Sequence, residues 1–234
     1  LDMNRRSFLE ILITTFAASK LYGCSGDTVV PQIKHKDINI PKFSTEVLHN
    51  SLDKLLKAFE AKGMKVSESL LPPLDEQELR EKCSWFPGDL TEEIIALYSW
   101  RGGQVNDAWD SEYPFWFRDN SFCSIERAKN EYKSMMDSYG TYKEDHFMLK
   151  NSFPIASFNG GWYVIPTKGN NLSSVLERPI ISVMQGIDVY FYSIQKMVDT
   201  CVEWVENDKY KEDGLYPEEL EMEIWSKHNP GIFS

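Results

Sequence analysis

The 234-residue sequence contains no HExxH, no nucleophile elbow, no Walker or dinucleotide glycine pattern and no CxxC pair. No sequence signature of a zinc protease, an α/β-hydrolase, a P-loop NTPase or a dinucleotide enzyme is therefore present. Positive charge is in short supply, with 25 Lys and Arg against 36 Asp and Glu and a formal net charge of -11. That balance opposes nucleic-acid binding, which needs a cationic face to displace counterions from phosphates. The four histidines, His35, His49, His146 and His228, are scattered and share no ligand spacing. Neither a metal site, a cofactor nor a set of catalytic residues is expected. Carboxylates are abundant enough that a glycosidase pair stays open, yet abundance is what any acidic chain shows. Internal repeats and low-complexity stretches are missing too, and the apolar run 11–18 is shorter than the roughly twenty residues a membrane span requires.

What the N-terminus does have is an address. Asn4-Arg5-Arg6-Ser7-Phe8-Leu9 follows a twin-arginine export pattern in which Arg5, Arg6, Phe8 and Leu9 carry the signal. A mildly apolar stretch leads from it to Leu21-Tyr22-Gly23-Cys24, which resembles a lipobox: an apolar residue, a small residue before the cut, and a thiol to take the diacylglyceryl group. Tyr22 is bulkier, and Glu10 more acidic, than such signals prefer. The competing reading is an amphipathic helix that happens to begin with two arginines. Met3 reads as the initiator. Residues 1–23 are thus expected to be a lipoprotein signal peptide, and 24–43 a lipidated, Pro-containing tether. Cleavage would remove Arg5, Arg6 and Lys20 against Asp2 and Glu10, leaving the mature chain one unit more acidic. The expected location is exported and lipid-anchored to the bacterial membrane, on its periplasmic or outer face. Cys83, Cys123 and Cys201 then remain, an odd set that is no disulfide framework. Either one bridge forms or all three are buried thiols, and export of a chain already folded in a reducing cytoplasm favours the thiols.

Periodicity organises the rest. Leu48, Leu52, Leu55, Leu56 and Phe59 recur at helical spacing and Gly63 follows as a stop. A polar helix is expected over 75–82, and another marked by Leu90, Ile94, Leu97 and Tyr98 and ending at Trp100 before Gly102-Gly103. Residues 113–117 and 121–125 read as short strands, the second passing into a helix over 126–139. Runs 153–158, 162–165, 179–184 and 187–192 are β-rich and closely spaced, which favours antiparallel neighbours. Ser193 then caps a helix with Ile194, Met197, Val198, Cys201, Val202 and Val205 on one face. Residues 44–207 form one α+β unit, and 208–234 an acidic C-terminal tail with one helix over 217–228.

The order of these pieces resembles the SUKH superfamily, the Smi/Knr family. The likeness rests on Trp100-Arg101-Gly102-Gly103 after a helix, a strand running into the helix that begins near Ser124, Phe153-Pro154-Ile155-Ala156 leading to Gly160-Gly161-Trp162-Tyr163, and Asp188-Val189-Tyr190 before a closing helix. Arg101 stands where the family often has Asn, and the segment from 103 to 121 is longer and more aromatic than the family pattern. The resemblance implies a single domain with a curved, mainly antiparallel sheet flanked by helices. It also implies a non-enzymatic module that binds a protein partner, most naturally as immunity to a toxin; partner identity does not transfer, because one scaffold serves many partners.

Candidate partner-binding residues are Trp100, Arg101, Gly102, Gly103, Trp109, Trp116, Gly160, Gly161 and Trp162. Each has a plainer reading. Gly102 serves as a helix stop with Trp100 in the core, or the pair lines a cleft. Gly160-Gly161 is a hairpin turn first and a contact second. Trp109 and Trp116, in a run rich in aromatic and acidic residues, either anchor a partner or pack inside. Asp107, Asp110 and Glu112 lack the EF-hand spacing for calcium. The expected partner is a protein, a basic toxin domain steered by the acidic surface, together with the bilayer held through acylated Cys24. The alternative is a cell-wall or carbohydrate-binding protein that holds glycan on Trp109 and Trp116.

Overall fold

Five strands form one antiparallel sheet in the order β1-β2-β3-β4-β5, and seven helices surround it among the described residues. The computed structural model describes residues 42–105, 117, 120–139, 149–158, 160–167, 178–184, 186–207, 209 and 218–232. These residues all belong to one compact unit. The expected signal peptide with Arg5, Arg6, Phe8, Leu9 and Cys24, the tether up to 41, the strand over 113–116 and the aromatic pair Trp109 and Trp116 lie outside them.

Local chemistry sets the helix starts. Helix α1, Thr45–Ala61, is capped by Ser44, whose side chain accepts from the Val47 amide, and buries Leu48, Leu52, Leu55 and Phe59 along one stripe. It ends at Lys62, and Gly63 takes a φ of 78°, the left-handed stop that glycine allows without a Cβ penalty. Helix α2, Val66–Ser69, is a single turn that carries no periodic signal in the sequence. Helix α3, Glu76–Lys82, begins at Asp75, which accepts from the Glu78 amide at 2.8 Å. Helix α4, Glu92–Trp100, begins only after Thr91 caps it, so Leu90 lies before the helix rather than on its stripe.

Strand β1, Ser121–Phe122, leads into helix α5, Ile125–Tyr139. Strands β2, Ser152–Phe158, and β3, Gly161–Pro166, form the central hairpin; β4, Ile180–Val183, and β5, Ile187–Phe191, complete the meander. Pro154 sits inside β2 because the register shifts between Pro154 and Ala156, and such an irregularity tolerates a residue with no amide proton. Helix α6, Ile194–Glu206, follows, with Ser193 accepting from the Lys196 amide as its cap.

Both faces of the sheet are covered, which explains why β2 and β3 are buried at nearly every position instead of alternating with solvent. Tyr163 and Ile165 point into the large core shared with α1, α4 and α6, whereas Trp162 and Val164 point into a smaller one with Met135 of α5, Leu149, Ile181 and Val183.

One boundary is corrected. Helix α7, Glu218–His228, is part of the folded body and no free tail. Ile224 and Trp225 are buried, and the Trp225 ring lies 5.7 Å from that of Tyr190. Asn229, wholly buried, accepts from the Tyr192 amide and donates to Thr200 Oγ1, which ties the end of α7 to the start and middle of α6. Of the acidic residues that suggested a tail, Glu219 and Glu223 are exposed on this helix. Cys83, Cys123 and Cys201 are buried, and no disulfide joins them. No described helix is long and apolar enough to cross a membrane.

Candidate functional site

The strip from Trp100 to Val105 runs between two backbone segments. Gly102 donates to the Leu71 carbonyl at 3.1 Å, Leu71 donates to Gly103 at 2.8 Å, and Gln104 donates to Phe122 at 2.9 Å. A Cβ on Gly102 would stand 2.6 Å from the Pro72 carbonyl oxygen; one on Gly103, with φ 103°, would stand 2.5 Å from Ser124 backbone atoms. These glycines exist so that chains can approach each other. Trp100 is buried and donates its indole N–H to Asp53 Oδ1 at 2.7 Å. Arg101 is half-buried, its guanidinium 5.1 Å from the Trp100 ring centroid and its Nη1 donating to the Trp100 carbonyl, while Val105 at the end of the strip is exposed.

At the other end of the sheet Gly160 occupies the β2–β3 turn with φ 79°, and no atom would crowd a Cβ there. Gly161 is tighter, because Met184 Cε would lie 2.7 Å from its Cβ. Trp162 turns inward to α5. Its indole donates to Glu131 Oε2 at 2.6 Å, Ser157 Oγ donates to Glu131 Oε1 at 2.8 Å, and Arg127 donates to Ser157 Oγ at 3.1 Å and to its carbonyl at 3.2 Å. Trp100 and Trp162 are both buried, Trp100 as the plainer reading had it. Only Arg101 and the Gly160 turn remain accessible from that set; Trp109 and Trp116 lie outside the described residues.

A second region was not singled out from the sequence. A cleft of about 290 Å³ is lined by Lys42, Phe43, Val47, Glu93, Arg178 and Lys196, among others. The starts of α1, α4 and α6 converge on it. Glu93, 5% exposed, lies in the first turn of α4, and Arg178 Nη1 donates to both its carboxylate oxygens at 2.7 and 2.6 Å. The pair is charge-assisted and closes one wall of the cleft. Across from it, Gln195 donates to Ser51 Oγ and to Asp199 Oδ1, and Ser51 donates to Asp199 Oδ1 at 3.1 Å. One signal could have revealed Glu93: it shares a helical stripe with Leu97 and Trp100, and an acid on a buried stripe demands a partner.

The titratable groups elsewhere serve the scaffold. Burial pushes the Cys83 thiol up to about 12. Tyr98, fully buried and donating to the Cys123 carbonyl, is pushed well above the ordinary phenol value by burial, then by Cys123 and Cys83. His49 contacts the Ala96 carbonyl, and His228 the Glu203 carboxylate, each at 2.8 Å. Among the described residues no group of three or more His, Cys, Asp or Glu is placed to hold a metal ion. Neither a protein-family model nor a curated protein matches this chain.

Proposed function

We propose that this chain is a non-catalytic binding protein of the Smi/Knr kind, carried at the bacterial envelope by a lipid on Cys24, and that it engages a protein partner as an immunity factor. The observation that carries this reading is the order of elements around the two glycine strips: a helix ending in Trp100, a strip held by Gly102 and Gly103, β1, α5, and a central hairpin turning at Gly160, with α6 after the meander. That order is the one the resemblance implies. Support also comes from carboxylates spent on holding elements together: the exposed Asp53 accepts from the buried Trp100 indole, and the half-buried Glu131 accepts from that of Trp162.

A net charge of -11 favours a basic partner and raises the encounter rate. An envelope location restricts the toxin to one that acts on, or crosses, the envelope. The test is co-purification of the detergent-solubilised chain from its own host, together with deletion of its gene. A stoichiometric partner encoded nearby, and new sensitivity to it in the deletion strain, are expected. A deletion strain no more sensitive to any neighbouring gene product defeats the immunity reading.

A further inference from the structure

The cleft between α1, α4 and α6 has a charge opposite to that of the chain as a whole. Its lining holds three cations, Lys42, Arg178 and Lys196, against two carboxylates, Glu93 and Asp199. Both carboxylates are already engaged, Glu93 by Arg178 and Asp199 by Ser51 and Gln195. The cations are less committed. Arg178 uses only Nη1 on Glu93 and, at a longer distance, Glu92, so Nε–H and both Nη2–H donors of its fork make no bond to a described residue, and the side chain is 35% exposed. Lys196 and Lys42 form no ion pair with any described residue. The lining thus holds one more cation than carboxylate in a chain whose net charge is -11, with Glu92 beyond the lining 3.9 Å from Arg178 Nη1.

The rest of the lining says what should be attached to the anion. Phe43, Val47 and Tyr192 supply an apolar wall, and Val47 is 52% exposed. At about 290 Å³ the space is at the small end for ligand sites, enough for a ring or a branched chain with one polar head. The convergence of three helix starts adds a favourable potential for negative charge, although Ser44, Thr91 and Ser193 already cap those helices.

We infer that this cleft binds a small monocarboxylate with an apolar body, its carboxylate between Arg178 and Lys196 and its hydrocarbon part against Phe43, Val47 and Tyr192. A single surplus charge suits a monoanion better than a phosphate dianion, and the planar fork of Arg178 suits a carboxylate. This site does not depend on the protein partner proposed above.

The experiment is isothermal titration of the full-length chain in a nonionic detergent with phenylacetate, its neutral analogue phenylacetamide, and phenyl phosphate. Saturable millimolar binding of phenylacetate is expected, weakened about five- to tenfold by Lys196→Ala and by moderate salt. Lys196→Ala leaves the α6 cap intact, because only the Lys196 backbone amide meets Ser193, so a loss of binding is not a loss of fold. Three results would overturn the assignment: no saturable binding of phenylacetate, equal binding of phenylacetamide, or an affinity untouched by Lys196→Ala. Tighter binding of phenyl phosphate than of phenylacetate would overturn the choice of a monocarboxylate.

Discussion

Trp162 of β3 donates its indole N–H to Glu131 of α5 at 2.6 Å, and this bond joins the smaller core to the helix that covers it. Glu131 accepts from Ser157 and Arg127 as well, so one carboxylate satisfies donors from two strands and its own helix. Removing it would take a charged acceptor away from all three donors.

Glu131→Ala should therefore destabilise the fold by about 2–4 kcal/mol, because buried donors lose a charged acceptor. Glu131→Gln keeps one acceptor oxygen but turns an NH2 donor toward the other donors, so it should cost less than alanine, about 1–2 kcal/mol. Urea midpoints of the two variants check the contrast. Equal losses would mean that the charge of Glu131, rather than its geometry, dominates.

Gly103 and Gly160 both have positive φ but differ in surroundings. At Gly103 an alanine meets backbone at 2.5 Å in addition to the unfavourable φ, so Gly103→Ala should cost about 3 kcal/mol or more. Gly160→Ala faces only the conformational penalty, about 1 kcal/mol. Thermal denaturation of both variants should show the first melting well below the second.

The three core thiols should be silent in the native state. With Cys83 pushed up to about 12 by burial, and Cys123 and Cys201 no more than 2% exposed, a thiol reagent at mildly alkaline pH should label none of them until denaturant is added. Mass spectrometry of alkylated peptides reads this directly. Labelling of Cys83 in the absence of denaturant would show that the α3 end of the core opens easily.

Glu203 links α6 to α7 through Lys227 and His228. Its carboxyl is held below the ordinary value of 4.5, chiefly by the hydrogen bond from Lys227 and further by His228, against an opposing effect of burial. A lowered native pKa means stability that is present above the unfolded value and is lost as pH falls through the native one. Glu203→Gln should lower the melting temperature at neutral pH, and the gap between variant and parent should close in acid. A gap that persists at low pH would assign the effect to packing instead.

Much of the architecture could be read along the chain because the forces involved are local. The caps at Ser44, Asp75 and Ser193 act over three residues, the stripe from Leu48 to Phe59 declares its own period, and Gly63 ends a helix through its own backbone. The closely spaced runs from 152 to 191 could pair only as neighbours, which made the antiparallel meander legible. The single turn of α2 was not legible, since four residues carry no period.

What pairs with what across long separations was decided only by the tertiary structure. Whether Trp100 and Trp162 face solvent or core depends on Asp53 and Glu131, dozens of residues away, and no local pattern encodes those partners. The acidic composition around α7 hid a buried Trp225, because charge counts do not reveal which side of a helix packs. The cleft gathers residues 42, 93, 178 and 196 from four separate segments, and the cationic excess of its lining is invisible in a chain whose summed charge is -11. Sequence sets the local conformations, through energies that act within a few residues; packing sets which side chains meet, through burial that only the assembled chain can satisfy.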